Sequence, residues 1–187
     1  PLAYEPGTKY VYSNAGINTA GRVVEVVSGL SFEEFMAKRL FGPLGMTDTT
    51  WRLTEQQMKR LAKAYKPTKD GAGLEPTTIT YLTQPLTEAK RQPCPGGGLF
   101  STAKDVAAFG QMILNDGKHD GKRILSEPAV REMTRTQTDD LLSKGKGEGG
   151  YGLGLSTTRK AKPIGPDKSD APAVAGACDH GGAYATN

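Results

Sequence analysis

The chain has 187 residues, 36% of them hydrophobic, with 24 Gly and 12 Pro. That length suits one domain burying roughly 70% of the surface its unfolded form exposes, and no apolar run approaches the roughly 20 residues of a membrane-spanning helix. The 24 Lys and Arg stand against 20 Asp and Glu, with the acidic residues mixed into the basic stretches, so no nucleic-acid partner is expected.

The two cysteines, Cys94 and Cys178, show no metal-ligand spacing, so neither zinc nor another cofactor is expected; a disulfide and two buried thiols are both open. The chain opens on Pro1, without Met, and stops at Asn187 straight after a Gly-rich run. The expectation is a fragment cut at both ends.

Pro6-Gly7-Thr8-Lys9-Tyr10-Val11 delivers Tyr12-Ser13-Asn14 to the start of a helix. Alone, the triplet reads as readily as a packed ring followed by an Asn cap. The spacing of Ile17, Ala20, Val23, Val24 and Val27 predicts a helix from Asn14 to Ser28 with one buried face, ended by Gly29. Ser31 and Glu34 form a capping box for a second helix carrying Phe32, Phe35, Met36, Leu40 and Phe41, which Gly42-Pro43 should stop.

Residues Leu44 to Thr49 read as a compact turn before Trp51. A third helix is expected from Thr54 to Ala64, with Met58, Leu61 and Ala62 inward. Tyr65 to Pro95 is predicted irregular apart from a strand-like piece, Thr77 to Leu82; a stretch of that kind usually lines something. The triple-Gly turn Gly96-Gly97-Gly98 leads to a helix from Ala103 to Asn115, with Thr102 and Asp105 as its capping pair and Val106, Phe109, Met112 and Ile113 as its apolar face.

His119 is expected exposed in the polar turn Asp116 to Gly121. Ser126-Glu127-Pro128 opens a helix running to about Thr134, Pro being tolerated in the first turn. Lys144 to Gly150 reads as a loop, Tyr151 to Leu155 as an alternating strand, and Lys160 to Gly176 as a long loop leading to Cys178-Asp179-His180-Gly181-Gly182-Ala183.

Taken together, Tyr12-Ser13-Asn14 at a helix start, the Pro43-Leu44-Gly45-Met46 turn, the triple-Gly turn before a capped helix, and His180-Gly181-Gly182 have an order and spacing that resembles the serine β-lactamase-like family. That group includes class C β-lactamases, DD-peptidases, D-aminopeptidases and related esterases. The resemblance runs from Pro6 to Ala183. It implies an α/β sandwich of antiparallel sheet and helices, of which residues 1–187 would be a partial domain, mainly the helical region plus the third-motif strand.

The family's motifs are Ser-x-x-Lys, Tyr-x-Asn and Lys/His-x-Gly. Tyr12 and Asn14 match the second, and His180-Gly181-Gly182 the third. Two strings match the first, Ser101-Thr102-Ala103-Lys104 and Ser143-Lys144-Gly145-Lys146. Ser101 is explained by a helix start, and Ser143 lies in a Gly/Lys loop that would not hold a nucleophile and base in register. Family order places the nucleophile upstream of Tyr12, outside this chain.

The roles the resemblance implies follow from chemistry. A serine hydroxyl attacks only when a base takes its proton, and a phenol serves as that base only beside a cation or as a relay. Tyr12 would then be the general base of acylation and the proton donor to the leaving group. Asn14 would orient the substrate's acyl group, and His180 would support Tyr12 or hydrogen-bond the substrate. Gly181 and Gly182 would let backbone approach the substrate, and Ala183 would give one oxyanion-hole N–H.

Good β-lactam hydrolysers carry Lys-Thr-Gly as the third motif. His-Gly-Gly removes a permanent cation and a hydroxyl, which favours esterase or D-amino-acid peptidase chemistry on a small ester, amide or peptide. The alternative is a non-catalytic binding module for peptide or cell-wall ligands, distinguished by whether Ser-x-x-Lys lies upstream. By resemblance alone the protein would be exported, and the fragment by itself would be inactive.

Overall fold

The computed structural model describes residues 3–79, 82, 85–138, 141, 149–158 and 176–182. The chain divides into two compact units, Ser13–Met112 and a second that joins Pro1–Tyr12 to Ile113–Asn187.

The first unit opens with α1 (Asn14–Ser28), and its cap is Ser13 rather than Asn14. The Ser13 hydroxyl accepts from the Gly16 N–H at 3.1 Å, satisfying one of the donors a helix start leaves unpaired. Gly29, at φ 69°, closes the helix in the left-handed conformation that costs Gly least.

The stripe expected to be buried on α1 is mostly exposed, with Ile17, Val23 and Val27 all open to solvent to a large extent. Periodicity marks a face fit for burial but does not supply its partner. The helix instead docks through its smallest residue, since a Cβ on Gly21 would stand 2.3 Å from Pro95 Cγ. Asn18 Oδ1 accepts there from the Gly96 N–H at 2.7 Å and from Cys94 Sγ at 3.1 Å. The triple-Gly turn is thus a docking turn.

The Ser31–Glu34 capping box forms and starts α2 (Phe32–Met36). The chain then continues through a π-helical turn (Ala37–Phe41) into α3 (Gly42–Leu44), past the expected stop. A proline inside a helix collides with the carbonyl four residues back. The wider turn before Pro43, in which the Gly42 N–H reaches Ala37 O, relaxes that constraint. The helix ends at Gly45 instead, where Met46 N–H to Phe41 O and Gly45 N–H to Gly42 O close a Schellman motif.

Phe41, Leu44, Met46, Trp51, Leu53 and Met112 form this unit's buried apolar core. The Phe32 and Phe41 rings lie 5.5 and 5.8 Å from Trp51. The helix expected over 54–64 is a single turn, α4 (Glu55–Met58), capped reciprocally by Thr54 and Gln57. Leu61 and Ala62 are exposed and the chain turns at once into an antiparallel hairpin, β1 (Ala64–Pro67) with β2 (Leu74–Thr77). That hairpin occupies part of the stretch read as irregular, and no strand continues through Thr78, Ile79 or Leu82; Thr80 and Tyr81 lie outside the described residues.

Helix α5 (Ala103–Leu114) begins at Thr102, whose hydroxyl accepts from the Asp105 N–H. The Asp105 carboxylate does not reach back as a capping pair would. It is buried and accepts from the Asp48 N–H at 2.9 Å and the Thr49 hydroxyl at 2.8 Å, fastening the 44–49 turn to the helix. Of the predicted apolar face, Met112 is fully buried while Val106 is exposed.

In the second unit a short hairpin, β3 (Lys118–His119) with β4 (Lys122–Arg123), replaces the expected plain turn. The His119 side chain is only 18% exposed, not open to solvent. Ser126 caps α6 (Glu127–Thr134). A three-stranded antiparallel sheet follows in the order β5 (Gly149–Tyr151), β6 (Ser156–Thr158), β7 (Cys178–Asp179).

Tyr151 therefore ends a strand instead of starting one, and the alternating run after it is the hairpin turn, with Gly154 at φ +84°. The register sets Tyr151 opposite Ser156 and Ser156 opposite Asp179, so these three share one face. Gly150, Thr157 and Cys178 share the other.

Candidate active site

The segment up to Tyr12 and the end of β7 belong to one unit, and there they meet. Tyr12, Tyr151, Ser156, His180, Gly181 and Gly182 line a cavity of about 390 Å³. Tyr12 comes from the stretch just before α1, and the residue is 58% exposed. His180 follows β7, the strand paired to β6 at the sheet's outer side. The two rings approach to 6.3 Å between centroids at an interplanar angle of 53°. The His180 ring also stands edge-on to Tyr151, at 6.3 Å and 73°.

A second tyrosine before the helix joins this group. Tyr10 packs against Tyr151 at 5.1 Å between ring centroids. Burial raises the Tyr151 phenol above its ordinary range, and the neighbouring Tyr10, Tyr12 and Asp179 add to that. Burial likewise raises Tyr10, against an opposing pull from Tyr151. Both stay neutral at working pH, as donors and packed rings.

Of the residues named from sequence, Tyr12, His180, Gly181 and Gly182 thus come together around one space. Asn14 lies in the other unit, as the first residue of α1, next to the Gly96 turn. Ala183 lies outside the described residues. Ser101 shares a 2.8 Å hydrogen bond with Thr49 at the α5 start, in keeping with a helix-start role; Ser143 to Lys146 lie outside the described residues.

Sequence reasoning missed Tyr10, Tyr151 and Ser156. For Tyr10 a signal existed, because it precedes Tyr12 by two positions in a non-helical segment and alternate residues of an extended chain share a side. Tyr151 and Ser156 depend on the strand register.

The cavity wall offers three hydroxyls, an imidazole and two glycines, with no Lys or Arg among the six residues. Both thiols are free. Burial and the adjacent Asp179 push the Cys178 thiol up, away from the nucleophilic thiolate form. Among the described residues no group of three or more His, Cys, Asp or Glu is placed to hold a metal, and no helix is long and apolar enough to cross a membrane.

Comparison with known proteins gives the context. The chain is 32% identical over 179 residues to Protein Rv1367c of Mycobacterium tuberculosis, across 88% of this chain and 42% of that protein. It is 36% identical over 119 residues to the lovastatin esterase of Penicillium rubens, across 63% of this chain and 29% of the esterase. Among solved structures it resembles EstCE1, a hydrolase with promiscuous acyltransferase activity, with TM-score 0.66 and 26% identity over 84% of this chain and 42% of that one. The chain therefore spans less than half the length of these relatives. The family model described as Beta-lactamase matches residues 1–187, so the chain has the α/β β-lactamase-like fold and belongs to the Beta-lactamase family.

Proposed function

We propose that this chain supplies the Tyr-x-Asn and His-Gly-Gly parts of a serine hydrolase that cleaves an uncharged ester or amide through an acyl-enzyme, with the nucleophilic serine outside residues 1–187. The observation that carries this reading is the approach of the Tyr12 and His180 rings, from opposite ends of the chain, around one cavity with Gly181 and Gly182.

In this scheme the serine oxygen attacks the substrate carbonyl carbon while Tyr12 Oη takes the serine proton. The bond to the leaving alcohol or amine then breaks, and Tyr12 returns the proton to it. Water repeats the sequence on the acyl-enzyme, releasing the acid. His180 hydrogen-bonds on the Tyr12 side of the cavity, and the two glycines leave the backbone bare for the substrate. None of the six described lining residues is Lys or Arg, which supports neutral esters over carboxylate-bearing peptides or β-lactams, and the esterase named among the relatives agrees with that choice.

The test is covalent labelling of the full-length protein by a fluorophosphonate, together with hydrolysis of p-nitrophenyl butyrate. The wild type should label and turn over, and Tyr12→Phe should lose at least about 100-fold in kcat/KM, the low end of what a general acid–base group contributes. A full-length protein that neither labels nor hydrolyses the ester is the binding module considered as the alternative.

A further inference from the structure

Tyr151 is held more firmly than a cavity-lining ring requires. Its backbone N–H donates to Thr138 Oγ1 at 2.9 Å, and Thr138 is itself buried. Its carbonyl accepts from the Gln137 N–H at 2.8 Å. The next residue, Gly152, packs so closely on the end of α6 that a Cβ would stand 2.4 Å from Met133 O, and the Leu153 N–H donates to that same carbonyl at 3.0 Å. Both backbone polar groups of Tyr151 and the glycine after it are thus fixed to the segment leaving α6.

The Tyr151 ring itself packs against the Tyr10 ring, at 5.1 Å between centroids and an interplanar angle of 36°. Between these anchors the ring lies 6.3 Å from the His180 ring, at an interplanar angle of 73°. His180 is exposed and follows the two-residue strand β7, and among the described residues its ring contacts are Tyr12 and Tyr151.

We infer that Tyr151, held by Tyr10, Gln137 and Thr138, is a positioning residue that sets the His180 imidazole at its distance from Tyr12. This rests on the proposed active site and deepens it. Packing an aromatic ring against an imidazole restricts its orientation through contact and does not itself need a hydrogen bond to a ring nitrogen. A ring that carries no charge adds no competing proton site, which suits a residue whose part is placement.

The test uses the full-length protein and the variants Tyr151→Leu, Tyr151→Phe, Tyr12→Phe and His180→Gln. Tyr151→Leu removes the ring and should lower kcat by about 10- to 100-fold with KM changed by less than about threefold, the size of effect that small misplacements produce. Tyr151→Phe keeps the ring and should restore kcat to within about threefold of wild type. As a readout free of turnover, the His180 imidazole proton resonances, assigned by their loss in His180→Gln, should shift in Tyr151→Leu and stay in place in Tyr151→Phe.

Tyr151→Leu with wild-type kcat and unmoved His180 resonances overturns the inference. So does a loss of kcat in that variant without movement of those resonances. If Tyr12→Phe and His180→Gln lose activity while Tyr151→Leu does not, the active-site reading stands and only the positioning role falls. If Tyr12→Phe and His180→Gln are both silent, the active-site reading falls, and this inference with it.

Discussion

Replacing Gly21 by Ala and, separately, Gly16 by Ala makes one chemical change twice on the same helix, with opposite expected signs. Helix propensity favours Ala over Gly by about 1 kcal/mol at either position. At Gly16 the new Cβ would sit 3.7 Å from Ser13 Cβ and Oγ, an ordinary contact, so most of that gain should appear as stability. At Gly21 it would sit 2.3 Å from Pro95 Cγ, where carbons normally keep about 3.5 Å or more.

Pro95 would have to retreat by about 1.2 Å, the difference of those two distances. It is flanked by residues that hold it in place: Cys94 O accepts from Trp51 Nε1 at 3.3 Å, and Gly96 N–H bonds Asn18 at 2.7 Å. Overpacking of this kind costs about 1–3 kcal/mol, and loosening the two hydrogen bonds adds up to about 1 kcal/mol each. After subtracting the helix gain, Gly21→Ala should destabilise by up to about 4 kcal/mol, and by about 2 at the middle of these ranges, while Gly16→Ala should stabilise by about 0.5–1. Trp51, the single tryptophan of the chain, bonds directly to the turn and reports its loss in a urea titration followed by fluorescence. A Gly21→Ala midpoint equal to or above wild type would refute the docking of the triple-Gly turn on α1.

Asp105→Ala leaves the Asp48 N–H without its acceptor and the Thr49 hydroxyl with Ser101 as its remaining partner, and a loss of about 1–3 kcal/mol in a urea titration is expected; Asp105→Asn, which keeps one acceptor oxygen, should lose less, and equal losses would argue against these bonds. Hydrogen bonds from Arg135, and secondly from Gln137, hold the Glu132 carboxyl at about 2, below its ordinary 4.5. Its favourable contribution is therefore complete above the ordinary value and is lost as pH falls towards 2, and a carbon-13 titration of that carboxyl with a midpoint near 4.5 would show that the pairing does not form in solution. The 187-residue chain by itself should neither take a fluorophosphonate label nor hydrolyse p-nitrophenyl butyrate; turnover by it would place the nucleophile within these residues.

What could be read from sequence was what neighbours in sequence decide. The Ser31–Glu34 reciprocal cap, the Ser126 cap and the Gly29 stop each involve groups within four residues, and the end of α1 followed from the last of them. Where a distant partner decides, local reading failed. The helix expected over 54–64 gave way after one turn to a hairpin whose strands pair Ala64 with Thr77. The run from Tyr151 to Leu155 alternates as a strand does, yet it is a turn, because Tyr151 pairs with Ser156. That misreading also hid Tyr151 and Ser156 from the candidate site.

The three phenols near His180 differ in a way that bears on the proposed reaction. Tyr10 and Tyr151 are packed against each other, and burial raises both above the ordinary phenol range. Neither is suited to accept a proton from an attacking serine near neutral pH. Tyr12 is the exposed one of the three, on the mouth of the cavity and facing His180. A proton carrier must exchange with substrate and solvent, whereas a positioning ring works best when it cannot move or ionise. If the proposed reaction holds, this division of exposure favours Tyr12 over Tyr10 and Tyr151 as the proton carrier, and loss of the Tyr12 hydroxyl should be far more costly than loss of either of the others.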